Sequence, residues 1–221
     1  MRKLASWTVI AALGTNLVIM VIKAIVGYRA SSASLMSEAA HSLIDSLTEV
    51  FLLIGMWHGA KWSPARYFWG LLASVNMFLV GGVWACWEGF ETIRNPENMI
   101  SMTSIISGSA VLIVSAGLES TSWLRAVKDL AQEKVDNKSW LWVLRNTRNT
   151  EAKTVIEEDT ADIMGCVLSG IGLVLWFVTS YAGWDGVASI AIGTMLIVMA
   201  YELGAQNVKF IVNSRKEEVY A

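Results

Sequence analysis

His41 and Asp45 stand four residues apart, and Glu158, Asp159 and Asp162 crowd a second stretch, each set inside an otherwise apolar run. Imidazole nitrogen and carboxylate oxygen together are the donor mixture that suits a divalent metal ion. An ionisable residue in a bilayer core costs about 2.5–3.5 kcal/mol, so four carboxylates and one imidazole set roughly 12–17 kcal/mol against insertion. Neither run contains a Lys or Arg to offset that charge. A metal ion shared between the two segments, or protons, must do so.

The segments that position these groups are membrane helices by composition and length. The chain has 221 residues, 54% hydrophobic and only 16% charged, where soluble domains carry about 25% charged residues. A helix crosses the hydrocarbon core with about 20 apolar residues. Six stretches reach that length, approximately 7–27, 35–57, 67–92, 99–120, 154–179 and 184–209. The reading is an all-α membrane protein, a six-transmembrane-helix bundle occupying residues 1–213, with a short charged tail at 214–221. The first run follows Met1-Arg2-Lys3 but lacks a small-residue cleavage pattern, and is expected to be retained as a span.

Charge distribution orients the bundle. Arg2, Lys3, Lys61, Arg66, the Lys and Arg residues between Arg125 and Lys153, Lys209, Arg215 and Lys216 share one side, leaving Arg29 and Arg94 on the other. The positive-inside rule then puts both termini in the cytoplasm, which fits a bacterial inner membrane. The connection 121–153 is the cytoplasmic loop. In it Trp123, Leu124, Val127 and Leu130 share a side, which predicts a helix lying on the membrane surface, with Trp123, Trp140 and Trp142 at headgroup level. Asn95-Pro96 marks the exit from the third span. Nothing in the pattern of charge points to nucleic acid.

Advancing 100° per residue, Ser34, Glu38, His41, Asp45 and Glu49 fall on one face of the second span. At 1.5 Å rise per residue this stripe is roughly 21 Å tall, and an acidic stripe facing a bundle interior is a path for a cation. On the fifth span Glu158 and Asp162 share a face, Asp159 lies about 60° away, and Ser169 continues the line. Gly165, Gly170 and Gly172 would admit a neighbouring helix closely. Lys23 in the first span is expected to snorkel or to pair with an acid such as Glu38. Asp185 is expected at the interface and Glu202 as a bundle contact; Glu88, Glu91 and Glu119 would line an entrance or cap interhelical contacts. Cys86 and Cys166 have no disulfide spacing; Cys166, one turn after Asp162, is at most an accessory soft ligand.

With these residues in view the chain resembles the cation diffusion facilitator family. The resemblance rests on Ser37-Glu-Ala-Ala-His41-Ser-Leu-Ile-Asp45-Ser, on Arg66-Tyr-Phe-Trp69, on Trp87-Glu-Gly-Phe-Glu91 with Arg94-Asn-Pro-Glu97, and on Glu119-Ser-Thr-Ser122. Glu158-Asp-Thr-Ala-Asp162 with Gly165 is similar to the branch containing the human ninth zinc transporter. It implies export of a divalent cation, usually zinc, exchanged for protons by alternating access in a homodimer. The metal is then a transported substrate, no cofactor is implied, and the protein is not an enzyme. By position His41, Asp45 and Asp159 match family ligands. Val155 stands where the commoner family pattern has His, so the fourth ligand is Glu158 by the branch's pattern, Asp162 by helix geometry, or water. The family's soluble C-terminal domain has no counterpart within these residues.

One His with three carboxylates carries −1 around a bound dication and −3 without it, so protons should replace a departing metal. A carboxylate-rich set also suits Mn²⁺ or Fe²⁺. A membrane enzyme or assembly subunit with a structural metal, and a channel, are the competing classes. No nucleophile–base pair or nucleotide-binding loop supports the former, and a channel would pass ions regardless of the proton gradient.

Overall fold

The computed structural model describes residues 2–58, 64–96, 101–131, 140 and 150–220. Six helical rods make up almost all of these, and no strand occurs among the described residues. They are α1 (Arg2–Ala30), α2 (Ala33–His58), α3, α4 (Met102–Ala131), α5 (Thr150–Thr179) and α6 (Gly183–Tyr220). The third rod, α3, runs as α-helix over Pro64–Asn76, as π-helix over Met77–Val83 and as α-helix again over Trp84–Arg94.

The bundle is turned inside out relative to a water-soluble protein. Val18, Leu79, Ile113, Val114 and Val178 are exposed, whereas Lys23, Glu38, His41 and Asp185 are fully buried. Hydrocarbon favours that arrangement because a helix satisfies its own backbone and leaves only side chains to choose a face. Among the described residues, Phe68–Arg94, Met102–Lys128, Glu158–Thr179 and Gly183–Lys209 are long and apolar enough to cross a membrane. This is a multi-pass, all-α membrane protein.

α2 is the inner helix, in contact with α1, α3, α5 and α6. Its polar stripe therefore faces protein, with Ser34, Ser37, Glu38, His41, Ser42 and Asp45 all buried. The turn from α1 to α2 is tight: Ser32 N–H reaches the Gly27 carbonyl at 3.0 Å, and Ser31 adopts φ 51°. This is the left-handed closure that commonly ends a helix. The start of α2 is capped from another helix, since Asp185 of α6 accepts hydrogen bonds from the Ser34 N–H (3.3 Å), the Ser32 hydroxyl (2.9 Å) and the Ser34 hydroxyl. Asp185, in the first turn of α6, is thus a buried cap, while Glu202, expected as a bundle contact, is exposed.

α3 and α6 approach through backbone. A Cβ on Gly89 would lie 2.5 Å from the Gly186 carbonyl oxygen, one on Gly186 would lie 2.6 Å from that of Gly89, and one on Gly193 would lie 2.8 Å from that of Gly82. On α5, Gly172 sits against Ala188 and the backbone of Asp185, and Gly165 beneath the Glu38 carboxylate. The nearest atom to a Cβ on Gly170 is at 3.9 Å, so that residue is not required for close approach.

The helices outrun the apolar stretches. Residues 121–131 do not lie on the membrane as a separate helix: they continue α4, and Ala126 and Leu130 pack on Ile156 of α5 with Trp123 and Val127 alongside. Trp123 Nε1 donates to Thr160 Oγ1 at 3.0 Å, which ties the ring to α5. The amphipathic face of this segment is satisfied by a neighbouring helix rather than by lipid. Trp142 and the other residues of 132–139 and 141–149 lie outside the described residues, as does the side chain of Glu49, while Trp140 is exposed.

Candidate metal centre

His41 and Asp45 are one turn apart on α2, so their side chains project to the same side. Asp162 of α5 comes to meet them. His41 Nε2 lies 3.8 Å from Asp45 Oδ1, and His41 Nδ1 lies 3.2 Å from Asp162 Oδ1. One donor atom from each of the three residues falls within 4.8 Å of the others, and all three side chains are buried. Close as they are, His41 Nδ1 and Nε2, Asp45 Oδ1 and Oδ2, and Asp162 Oδ1 have no hydrogen-bond partner within the protein.

Buried polar atoms are nearly always paired, because leaving one unpaired costs about 1–3 kcal/mol. Five unpaired buried atoms on three neighbouring side chains, with one donor from each close enough to the others to share an ion, are therefore a strong signal. What satisfies lone pairs of this kind together is a cation. The donor set, one imidazole and two carboxylates from two helices, fits a zinc-like dication that completes its shell with a further ligand or water.

The remaining predicted residues separate. Asp159, expected in the same set, belongs to a second group, in which its carboxylate lies within 4.8 Å of Glu119 of α4 and of Asp162. The rotation of about 60° between Asp159 and Asp162 turns the former toward α4 and the latter toward α2. Asp159 also accepts a hydrogen bond from Ser122. Glu158 is half-buried, lies near enough to Asp45 to act on it electrostatically, and is in neither group.

One turn from His41 the stripe carries its own counter-charge. Lys23 Nζ of α1 donates to Glu38 Oε2 at 3.0 Å and to Ser42 Oγ at 3.1 Å. Cys166 donates to Glu38 Oε2 at 3.3 Å, so the thiol serves this pair and stands outside both groups of candidate ligands. Farther along α2, Ser37 shares a hydrogen bond of 2.6 Å with Ser189 of α6, and Ser34 one of 2.7 Å with Ser169 of α5. Polar side chains thus run through the interior from Asp185 to Glu119.

Sequence reasoning left Glu119 undecided between an entrance and an interhelical contact. The signal was present: a single carboxylate late in an apolar run is expensive unless it has a purpose. The partner set of Asp185 was less accessible, because nothing in the spacing of α6 reveals that its first turn abuts the start of α2.

The Cation efflux transmembrane domain matches residues 9–212. Over 175 residues the chain is 25% identical to the mitochondrial proton-coupled zinc antiporter SLC30A9 of Homo sapiens, an alignment covering 75% of this chain and 30% of that protein. The same antiporter of Xenopus laevis is also 25% identical over 175 residues, with 75% and 31% covered. Metal tolerance protein C4 of Arabidopsis thaliana is 24% identical over 210 residues, with 90% and 45% covered. The chain spans less than half the length of these curated relatives. A domain match along nearly its whole length, on a six-rod bundle whose buried His and Asp side chains converge, makes this chain a member of the cation efflux family, whose members are transporters and not enzymes.

Proposed function

We propose that this chain moves a divalent metal cation, zinc first, across its membrane in exchange for protons, by alternating access to the site formed by His41, Asp45 and Asp162. The observation that carries the reading is that His41 and Asp45 of α2 and Asp162 of α5, whose buried nitrogen and oxygen atoms lack hydrogen-bond partners, each bring one donor within 4.8 Å of the others. Two carboxylates balance a dication, and the imidazole supplies the nitrogen that zinc accepts readily. When the ion leaves, two carboxylates remain together in a medium where paired negative charge is costly, so protons take its place. Metal out and protons in then follow from the same electrostatics. The names of the antiporter relatives agree with this exchange.

The proposal includes cytoplasmic termini, from the distribution of Lys and Arg, a bacterial inner membrane as the host, and a homodimer, as the family resemblance implies. Mn²⁺ or Fe²⁺ is the second cargo, favoured by the excess of carboxylate over imidazole in the two groups.

The test is metal uptake into proteoliposomes with an imposed pH gradient, run for Zn²⁺, Mn²⁺ and Fe²⁺. Zinc uptake should follow the gradient, and His41→Ala and Asp162→Asn should reduce it to the level of protein-free vesicles. Wild-type rates in both variants would remove the site, and flux indifferent to the gradient would make the protein a channel.

A further inference from the structure

Glu119 of α4 and Asp159 of α5 are 9% and 8% exposed, and with Asp162 they bring three carboxylates within 4.8 Å of one another. We propose that Glu119, Asp159 and Asp162 form a second, oxygen-only cation site, joined to the His41 centre through Asp162, at which the divalent ion is held before it enters that centre. The inference rests on the function proposed above and adds to it two residues, Glu119 and Asp159, and a second ion.

Three observations carry it. Asp159 Oδ2 and Asp162 Oδ1 are buried with no hydrogen-bond partner in the protein, so the cluster keeps free lone pairs beside the hydrogen bonds that Asp159 makes with Ser122 and Glu119. Charge is the second. Asp45, Asp162, Asp159 and Glu119 make four carboxylates across the two groups, so one dication leaves two negative charges uncompensated and a second removes them. Lys23, the buried cation nearby, is already committed to Glu38 at 3.0 Å. Position is the third. Asp159 precedes Asp162 by three residues on α5, about 4.5 Å closer to the Thr150 end. Glu119 lies toward the Ala131 end of α4, and both ends lead into the Lys- and Arg-rich connection. The cluster therefore stands between that end of the bundle and His41. A carboxylate common to both sites lets an ion change partners without ever losing all its ligands.

The chemistry differs from that of the His41 centre. Carboxylate oxygens alone form a hard donor set, which discriminates weakly in favour of zinc and accepts Mn²⁺ readily. Selection would then belong to the imidazole, and capture to the carboxylates. The competing occupant is a proton shared between Glu119 and Asp159.

The experiment is metal stoichiometry of the full chain in lipid nanodiscs, by equilibrium dialysis against Zn²⁺ or Mn²⁺ with elemental analysis, for wild type, Glu119→Gln, Asp159→Asn and His41→Ala. Two ions per wild-type chain are expected. Glu119→Gln and Asp159→Asn should each keep one, and Co²⁺ bound in their place should retain the absorption bands of a nitrogen-containing site. His41→Ala should also keep one, without those bands. A single ion in wild type, or two ions retained in Glu119→Gln, overturns the second site and leaves the transport reading standing if His41→Ala still abolishes uptake. Two ions in wild type and one in Glu119→Gln, with normal uptake by His41→Ala, would uphold the carboxylate site and remove the His41 reading.

Discussion

Lys23 Nζ lies 3.0 Å from Glu38 Oε2, and neither side chain is exposed. The pair joins α1 to α2 one turn from His41 and neutralises the Glu38 charge beside the candidate centre. A buried pair contributes little net stability, but breaking it strands a charge, at a cost of about 3–5 kcal/mol. Lys23→Met should destabilise the protein by that amount, and Lys23→Met combined with Glu38→Gln should recover most of the loss. Denaturant unfolding in mixed micelles reads both. A double variant as unstable as the single one would mean that the ammonium acts through packing rather than charge.

Much of this was written in the sequence. The i, i+4 pair His41 and Asp45, the inward stripe on α2 and the carboxylates of α5 follow from helical periodicity alone, because a helix fixes which residues share a face. Periodicity does not say which helices touch. That Asp159 turns to Glu119 while Asp162 turns to His41, and that Asp185 caps α2, depend on how the rods are arranged. Hydropathy also misjudged the ends of the rods. It marks the part of a helix that needs hydrocarbon, whereas Leu130 and Ile156 extend α4 and α5 by packing on each other.

The glycines shared by α3 and α6 make a second prediction. Gly89 and Gly186 each place backbone where the other's Cβ would stand, at 2.5 and 2.6 Å. Backbone cannot move aside as a flexible side chain can, so Gly89→Ala or Gly186→Ala must push the rods apart. A loss of about 1–3 kcal/mol is expected from such overpacking. Gly170→Ala on α5 is the control, with its nearest neighbour at 3.9 Å. Equal thermal stability of Gly89→Ala and Gly170→Ala would show that α3 and α6 do not depend on this contact.

Asp185 offers a third test. Its carboxylate serves the first turn of α2, and without it the Ser34 N–H and the hydroxyls of Ser32 and Ser34 lose a buried acceptor. Lost caps cost about 0.5–2 kcal/mol, with more for each buried group left unpaired. Asp185→Ala should therefore destabilise by at least this much, while Asp185→Asn, which keeps an acceptor oxygen, should lose less. Hydrogen exchange at the amides of Leu35 to Glu38 would localise the effect. Unchanged protection there in Asp185→Ala would refute the cap.

Metal binding at His41, Asp45 and Asp162 should also depend on pH in a definite sense. An imidazole nitrogen and a carboxylate ligate only when unprotonated, so an entering dication displaces protons from the empty site. Raising proton concentration therefore favours the metal-free form, and zinc affinity should weaken as pH falls. Calorimetry in buffers of different ionisation enthalpy counts the protons released, and that number should drop in Asp45→Asn and again in the double variant Asp45→Asn/Asp162→Asn. Isosteric amides keep the shape of the site and remove its charge, which separates the electrostatic role from packing. An affinity for zinc that did not change with pH, with no protons released, would detach the metal from these three side chains and with it the basis for exchange.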